Sequence, residues 1–353
     1  MRHLILMRHG MPAVPPGSSL CLGRTDLPLS PLGRMQACLL AEELSPYSTS
    51  FVYSSPLLRS TETAMAFSRP LRVVDAFAEQ NMGCWDGLSF EEIRHTWPEL
   101  YEKRGKDPLL VPPEAETLFD VQQRAVEELK ACLNRFSGDM LITSHASVIQ
   151  CIMAKATGTP LAESRQYRLP YGGYAVLEGE ESLRLQRSGI LPHPEMTASL
   201  AEKLLSAAAP GRQIEAHCRA VAEKALEIAE ALPFATDREA LHCAALLHDA
   251  ARSEPQHAHV GADWLHTLGY DQIARLIRQH HDPESDASSE ALILYISDKC
   301  VQEDRIVPLE VRFAKSAERC RDETARAAHA RRWETARQIR QQLNHLCGRE
   351  IIP

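Results

Sequence analysis

Two sets of residues in this chain have the types and spacing to do chemistry. The first is spread over four short segments. Arg8-His9-Gly10 follows the apolar run His3–Met7, and Ser54-Ser55-Pro56-Leu57-Leu58-Arg59 repeats that run-then-turn pattern. Glu79 precedes the turn Gly83-Cys84-Trp85-Asp86-Gly87, and Thr143-Ser144-His145 ends a further apolar run. Two imidazoles, two guanidiniums and a carboxylate suit phosphoryl transfer. A neutral imidazole is a nucleophile, forked guanidiniums hold phosphate oxygens, and a carboxyl group shuttles protons.

The second set is a histidine-rich stretch. Eight of the 15 histidines fall between 217 and 281, as His217, His248-Asp249, His257 and His280-His281 among others, with Asp298 further on. Imidazole with carboxylate is a ligand set for Mn, Fe, Co, Ni or Zn rather than Ca. Neighbouring helical residues point about 100° apart, so His248 and Asp249 reach one ion only at a helix end or distortion. His242, His259, His266, His329 and His345 read as structural or surface histidines. Of the tandem pair, His280 is preferred over His281, although either side chain can turn inward.

The elements that must position these groups differ between the two halves. Candidate strands are His3–Met7, Phe51–Ser54, Arg72–Val74, Met140–Thr143, Gly173–Leu177 and Leu183–Arg187. Candidate helices are Pro31–Leu44, Leu58–Phe67, Ser89–Thr96, Thr117–Arg135 and Ala146–Thr157. That alternation predicts an α/β sandwich on a largely parallel sheet, with ligands at the strand C-termini. From Ser199 to Leu346 the pattern is helical throughout, with no period-two alternation. The expected domains are 1–192 and 214–353, joined over 193–213, where Pro194, Pro210 and Gly211 flank a short apolar helix.

Composition sets outer bounds. The 353 residues, 44% hydrophobic and 24% charged, suit two globular domains and exclude disordered or fibrous classes. A net charge of −8 argues against a nucleic-acid binder. The leading MRHLILM is too short for a signal sequence and reads as strand. No apolar run reaches the ~18 residues of a membrane span. Ten cysteines without CxxC pairing suggest free thiols in a reducing cytoplasm. The Arg- and Glu-rich segment 318–343 reads as a packing helix through Ala325, Ala328, Trp333, Ala336, Ile339 and Leu343.

In their order, RHG, SPLLRSTETA, E-x-x-x-G-x-W-D-G and SHAS resemble the histidine phosphatase superfamily, also called the phosphoglycerate-mutase-like fold, over about the first 190 residues. The resemblance implies a three-layer α/β/α domain. It makes His9 the nucleophile, Arg8, Arg59 and His145 the phosphate pocket, and Glu79 the proton donor and base, with no metal required. Gly23-Arg24-Thr25-Asp26-Leu27-Pro28-Leu29-Ser30 is similar to the stretch after RHG in α-ribazole phosphatases, which makes Arg24 a candidate substrate contact. The loop Met11-Pro12-Ala13-Val14-Pro15-Pro16 lacks the hydroxyl and amide usual there. Pro113-Glu114-Ala115-Glu116-Thr117 departs from Pro-Gly-Gly-Glu-Ser. Both departures weaken transfer of substrate identity and argue against a mutase.

The later residues resemble the HD superfamily of metal-dependent phosphohydrolases over about 196–353, an all-α fold. The resemblance implies one ion held by His217, His248, Asp249 and Asp298. His257 and His280 match the added histidines of two-metal members, and Lys299 and Arg305 become candidate phosphate contacts. The whole arrangement resembles the small bacterial HD hydrolases that cleave dinucleoside polyphosphates symmetrically. The expectation is therefore a cytoplasmic two-domain phosphohydrolase acting on a small phosphorylated metabolite or nucleotide, without nucleic-acid or membrane partners. Its second half carries one or two divalent transition ions. Three alternatives stay open: a non-catalytic HD regulatory module, an intramolecular phosphotransferase, and a cofactor-pathway phosphatase.

Overall fold

The computed structural model describes residues 2–179 and 183–353, so Met1 of the leading MRHLILM lies outside the described residues. The chain divides into two compact units, Met1–Pro194 and Glu195–Pro353.

In the first unit six strands form one sheet: β1 His3–Arg8, β2 Val52–Ser54, β3 Leu71–Val73, β4 Met140–Ser144, β5 Tyr174–Glu178 and β6 Arg184–Ile190. Their spatial order is β3-β2-β4-β1-β5-β6. β3, β2, β4 and β1 run parallel, whereas β5 and β6 are antiparallel additions. Leu4–Met7 are fully buried, which is the unalternating apolar pattern of a strand covered on both faces. The helices are α1 Pro31–Glu43, α2 Leu58–Met65, α3 Phe90–Thr96, α4 Pro98–Lys106, α5 Leu118–Arg135 and α6 Ala146–Thr157. Side chains of α5 and α6, such as Val121, Leu129, Val148 and Ile152, pack with Leu4, Leu6 and Ile142. On the other face Leu40 and Ala64 of α1 and α2 pack with Ile5, Met7 and Leu141. The unit is thus three-layered.

Local chemistry sets the helix starts. Ser30 accepts the Gly33 amide ahead of Pro31 at the first position of α1, and Thr117 with Asp120 forms a capping box on α5. α4 was not among the expected helices, because it buries no residue and so carries no apolar period.

Parallel pairing brings three strand ends together. Arg8 lies opposite Ser144, and Ser54 opposite Thr143, so His9, Ser55 and His145 leave the sheet side by side. The loop after His9 then crosses the start of α1 at backbone contact. A Cβ on Gly10 would lie 2.2 Å from the Gly33 carbonyl oxygen, and one on Gly33 would lie 2.1 Å from the Met11 oxygen.

The second unit holds α7 Ala198–Ala208, α8 Arg212–Ala231, α9 Arg238–Leu247, α10 His257–Thr267, α11 Asp271–Arg278, α12 Ser289–Lys299, α13 Leu309–Ala317 and α14 Glu323–Cys347. Two differences from the expectation appear. The stretch 193–213 is not a free junction: α7 buries Leu200, Leu204 and Leu205 and packs on α9. The half is also not wholly helical, since β7 Val301–Gln302 and β8 Arg305–Ile306 form a hairpin. Strands of two residues are too short to show alternation. On α14 only Ala336, Ile339 and Leu343 of the expected packing residues are buried. All ten cysteines are free thiols.

The Gly10–Gly33 crossing yields a prediction. Gly33→Ala should destabilise the first unit by about 1–3 kcal/mol, the usual cost of overpacking, and lower monoester hydrolysis. Metal uptake by the second unit should be unchanged. Denaturant titration and metal analysis on the same variant check both.

Candidate active site and metal centre

His9 is buried at the end of β1, 4% exposed. Its Nδ1 lies 2.7 Å from the Gly10 carbonyl oxygen. A carbonyl can only accept, so Nδ1 carries the ring proton and Nε2 presents its lone pair. Arg59 Nε donates to that Nε2 at 3.3 Å. Burial, then Arg59 and Arg8, push the His9 pKa well below its ordinary value, so the ring stays neutral and nucleophilic.

Arg59 is held in turn. Its Nη1 and Nη2 donate to the carbonyls of Thr25 and Gly23, at 2.8 and 2.9 Å. That loop is pinned by Asp86, whose carboxylate accepts from the amides of Gly23, Arg24 and Thr25 at 2.6–3.2 Å and from the Thr25 hydroxyl at 2.9 Å. Arg8 lies over the Tyr171 ring at 3.9 Å and donates through Nη1 to the Leu169 oxygen, while its Nε is buried without a partner. A buried, unpaired guanidinium donor beside a neutral imidazole suits an anion.

His145 stands 5.0 Å from His9, ring centre to ring centre. Its Nε2 is 2.7 Å from Ser55 Oγ, which also accepts the Leu57 amide, and its Nδ1 is buried and unpartnered. Burial and the surrounding arginines push its pKa down as well. Glu79 is 7% exposed; Oε1 accepts the Gln80 amide at 2.8 Å, and its charge acts on both Arg8 and Arg59. Arg24 is half-exposed, 3.8 Å from Glu116, and near enough to His145 to help depress its pKa.

The second centre lies where α8, α9, α10, α12 and the segment after α11 converge. His217, His248 and Asp249 form one group of potential ligands, and His257, His280 and His281 another, with ligand atoms within 4.8 Å in each. His248 follows the last residue of α9, the helix end that the doublet requires. Asp249 stands between the groups: Oδ2 is 3.8 Å from His248 Nε2, and Oδ1 is 3.1 Å from His257 Nε2 and 3.7 Å from His280 Nε2. Asp298 Oδ1 is 3.2 Å from His217 Nε2 and 3.7 Å from His248 Nε2. Lys299 Nζ is 2.6 Å from Asp298 Oδ2.

These residues fit a metal on two counts. His217, His248 and His280 each have Nδ1 on a main-chain oxygen, of Glu303, Ala245 and Ile277, at 2.7–2.8 Å, which leaves the Nε2 lone pairs facing inward. His248 Nε2, Asp249 Oδ1 and His280 Nε2 are buried without hydrogen-bond partners. The electrostatics agree. Burial is the largest single influence and would lower the His248 pKa, yet Asp249, Cys218 and Asp298 together outweigh it and the net shift is well upward. Burial likewise opposes ionisation of Asp298, but Lys299 and the histidines hold it well below the usual range. Two buried carboxylates thus call for more positive charge than Lys299 supplies. His280 is pushed down to about 3, chiefly by burial.

Of the residues expected at this centre, Arg305 is not brought in. The hairpin places it on exposed β8, and it does not line the roughly 750 Å³ pocket over the histidines. His281, left open by the sequence, joins through Nε2, 2.9 Å from His257 Nε2. Ser55, Asp86 and Tyr171 were missed at the first centre. Ser55 and Asp86 sit inside the quoted motifs, whereas nothing local marks Tyr171.

The first centre gathers two buried imidazoles, two guanidiniums and a carboxylate at the strand ends of a three-layer unit. Residues 4–187, over half of the 353, match the histidine phosphatase superfamily (branch 1), and the chain belongs to that superfamily. Residues 214–302 match the HD domain. Phosphoserine phosphatase 1 of Hydrogenobacter thermophilus is 30% identical over 187 residues, 51% of this chain and 88% of that protein. The structure of Bacillus stearothermophilus YhfR aligns at TM-score 0.50 and 27% identity, over 54% of this chain and 97% of that one. A structure titled mycobacterial hydrolase 2 aligns at TM-score 0.52 and 24% identity, over 59% and 97%, and shows the fold alone. The chain is a phosphoric ester hydrolase, and relatives across its first unit are named phosphatases. Among the described residues no helix is long and apolar enough to cross a membrane.

The buried neutral imidazoles make stability pH-dependent. Unfolded, they titrate near their ordinary ~6.5; folded, His9 and His145 take up protons only well below it. Below about pH 6.5 the unfolded chain therefore binds more protons, and stability falls with pH. The urea midpoint should drop from pH 7 to pH 5 and drop less when His9→Asn and His145→Asn are combined. An equal drop in both proteins would contradict the assignment.

Proposed function

We propose that the chain is a bifunctional phosphohydrolase: a phosphomonoesterase working through a phosphohistidine at His9, and a metal-dependent phosphoesterase or phosphoanhydrase at the HD centre. The observation that carries the first activity is the His9 lone pair, fixed by the Gly10 carbonyl and facing Arg59. His9 Nε2 attacks phosphorus while the ester oxygen departs, taking a proton from Glu79. Arg8, Arg59 and His145 hold the three phosphoryl oxygens as charge redistributes. Glu79, now a carboxylate, takes a proton from water as the water attacks the phosphohistidine, which frees orthophosphate and restores His9. Arg24, on the rim, contacts the rest of the substrate.

At the HD centre His217, His248, Asp249 and Asp298 would hold one divalent transition ion, and His257, His280 and His281, which Asp249 also approaches, would hold a second. Bound ions would polarise a phosphoryl oxygen and lower the pKa of water. Lys299 neutralises Asp298 and holds it deprotonated for ligation. The substrate there is nucleotide-like, and a product that keeps a terminal monoester is of the type the His9 site cleaves. The two reactions would then run in sequence.

A panel of monoesters, cyclic nucleotides and dinucleoside polyphosphates, assayed with and without chelator, tests both sites. Monoester release should survive chelation and fall about a thousandfold or more in His9→Asn, as for loss of a nucleophile. Diester or anhydride cleavage should vanish with chelator or Asp249→Ala and return with Mn or Fe in the unsubstituted chain. Conversion of a diester to free nucleoside that persisted in Asp249→Ala would refute the sequence of reactions. Nucleotide-dependent stabilisation without product would instead favour a regulatory HD module.

A further inference from the structure

The pocket over the histidines reaches beyond the HD-matched residues. Part of its lining comes from α13 and the start of α14, whereas the HD match ends at residue 302. Six cationic side chains line the pocket, against the carboxylates Asp249, Asp298 and Glu303, the first two of which belong to the metal centre.

The six cations fall into two classes. Three are neutralised: Lys299 by Asp298 at 2.6 Å, Arg332 by Asp282 at 2.5 Å, and Arg252 beside Asp249 at 3.6 Å. The other three are Arg312, Lys315 and Arg319. Arg312 gives Nε to the Val301 oxygen at 3.2 Å, and Lys315 reaches Glu303 only at 3.9 Å. Among the described residues neither guanidinium, of Arg312 or Arg319, makes an ion pair. Their spacing is i, i+3, i+7, so they share one face of α13 and the turn that continues it. Like charges stacked on one helical face repel, and without counter-anions they do nothing for stability.

We propose that this face of α13 is a second phosphate-binding subsite in the pocket that the metal-binding histidines line, and that the substrate there carries at least two phosphoryl groups, as in a phosphoanhydride. The inference rests on the reading of the histidine cluster as the hydrolytic centre and adds what recognises the rest of the substrate. Two features support it. A pocket of about 750 Å³ is of the size that encloses a whole nucleotide-sized ligand rather than one phosphate. Arg312, Lys315 and Arg319 also lie on an element that supplies none of the ligand atoms, so they are free to hold a phosphoryl group other than the one at the metal centre. Arginine there offers forked donors to phosphate oxygens.

The test is calorimetric titration of the full chain with AMP and with ATP at constant free magnesium. Comparison variants combine Lys315→Ala with Arg319→Ala, or Lys315→Arg with Arg319→Lys. ATP should bind at least tenfold more tightly than AMP. The alanine pair should remove most of that preference while AMP affinity moves less than twofold, and the charge-preserving pair should retain it. An unchanged ATP affinity in the alanine pair, or equal weakening of both nucleotides, would overturn the subsite. Metal uptake by the unsubstituted chain is measured in parallel. Its absence would sink the hydrolytic reading, while the ATP-to-AMP ratio, repeated in chelator, would still decide the subsite.

Discussion

His9, His217, His248 and His280 each donate Nδ1–H to a main-chain carbonyl at 2.7–2.8 Å. That one interaction decides what each ring can do. With the δ proton committed, the ε nitrogen presents its lone pair, and at His9 and His280 burial keeps a second proton from binding there cheaply. An imidazole so fixed is a nucleophile when its lone pair faces phosphorus and a ligand when it faces a cation. The carbonyls come from the backbone beside each ring, at Gly10, Ala245 and Ile277, or from the hairpin turn at Glu303. A strand or helix ends beside His9, His248 and His280, at β1, α9 and α11, whereas His217 lies within α8 and takes its carbonyl from the hairpin.

What surrounds the fixed ring then separates the two centres. Around His9 the charge is permanent and positive, from Arg8 and Arg59, and it depresses the ring's pKa together with burial. Around His248 the fixed charge is negative, from Asp249 and Asp298, and the net shift is upward. The first environment repels a cation and welcomes a phosphate dianion; the second demands a cation before an anion can approach. Arg59 shows how firmly this is built. Its guanidinium is oriented by carbonyls of Gly23 and Thr25, whose own amides are held by Asp86. A carboxylate distant in sequence thus sets the donor that meets the nucleophile.

The strands of the first unit were legible because they are short, apolar and bounded by turn residues; each of those six starts and ends within a few residues of its expected limits. The motif residues His9, Arg59, Glu79 and His145 were legible because strand ends and helix starts carry them. Elements without an apolar period escaped, as with α4 and the two-residue strands of the hairpin. Contacts that depend on distant folding escaped as well. Tyr171 reaches Arg8 only because β5 pairs with β1. Arg305 was chosen for its closeness to Asp298 in sequence, but the hairpin turns it out to solvent, and the chain returns only at α13 to bring Arg312, Lys315 and Arg319 over the pocket. Sequence proximity was the wrong measure there, because a reversal of direction intervenes.

Charge also separates structure from recognition in the second unit. Where a cation serves the fold, it is matched: Lys224 Nζ is buried against the Ile351 carbonyl and Glu227, and Arg340 meets Glu310 at 2.8 Å. Where α13 lines the pocket, the same helix leaves its cations largely unmatched, although the chain as a whole carries a net charge of −8. An acidic protein that gives Lys315 only Glu303, at 3.9 Å, and Arg312 and Arg319 no ion pair among the described residues is not short of carboxylates for that face. The absence of matching charge is local, and it coincides with the pocket whose base holds the ligand atoms. A site that must admit an anion and release it gains from cations whose counter-charge arrives with the ligand, because internal ion pairs would have to break before binding.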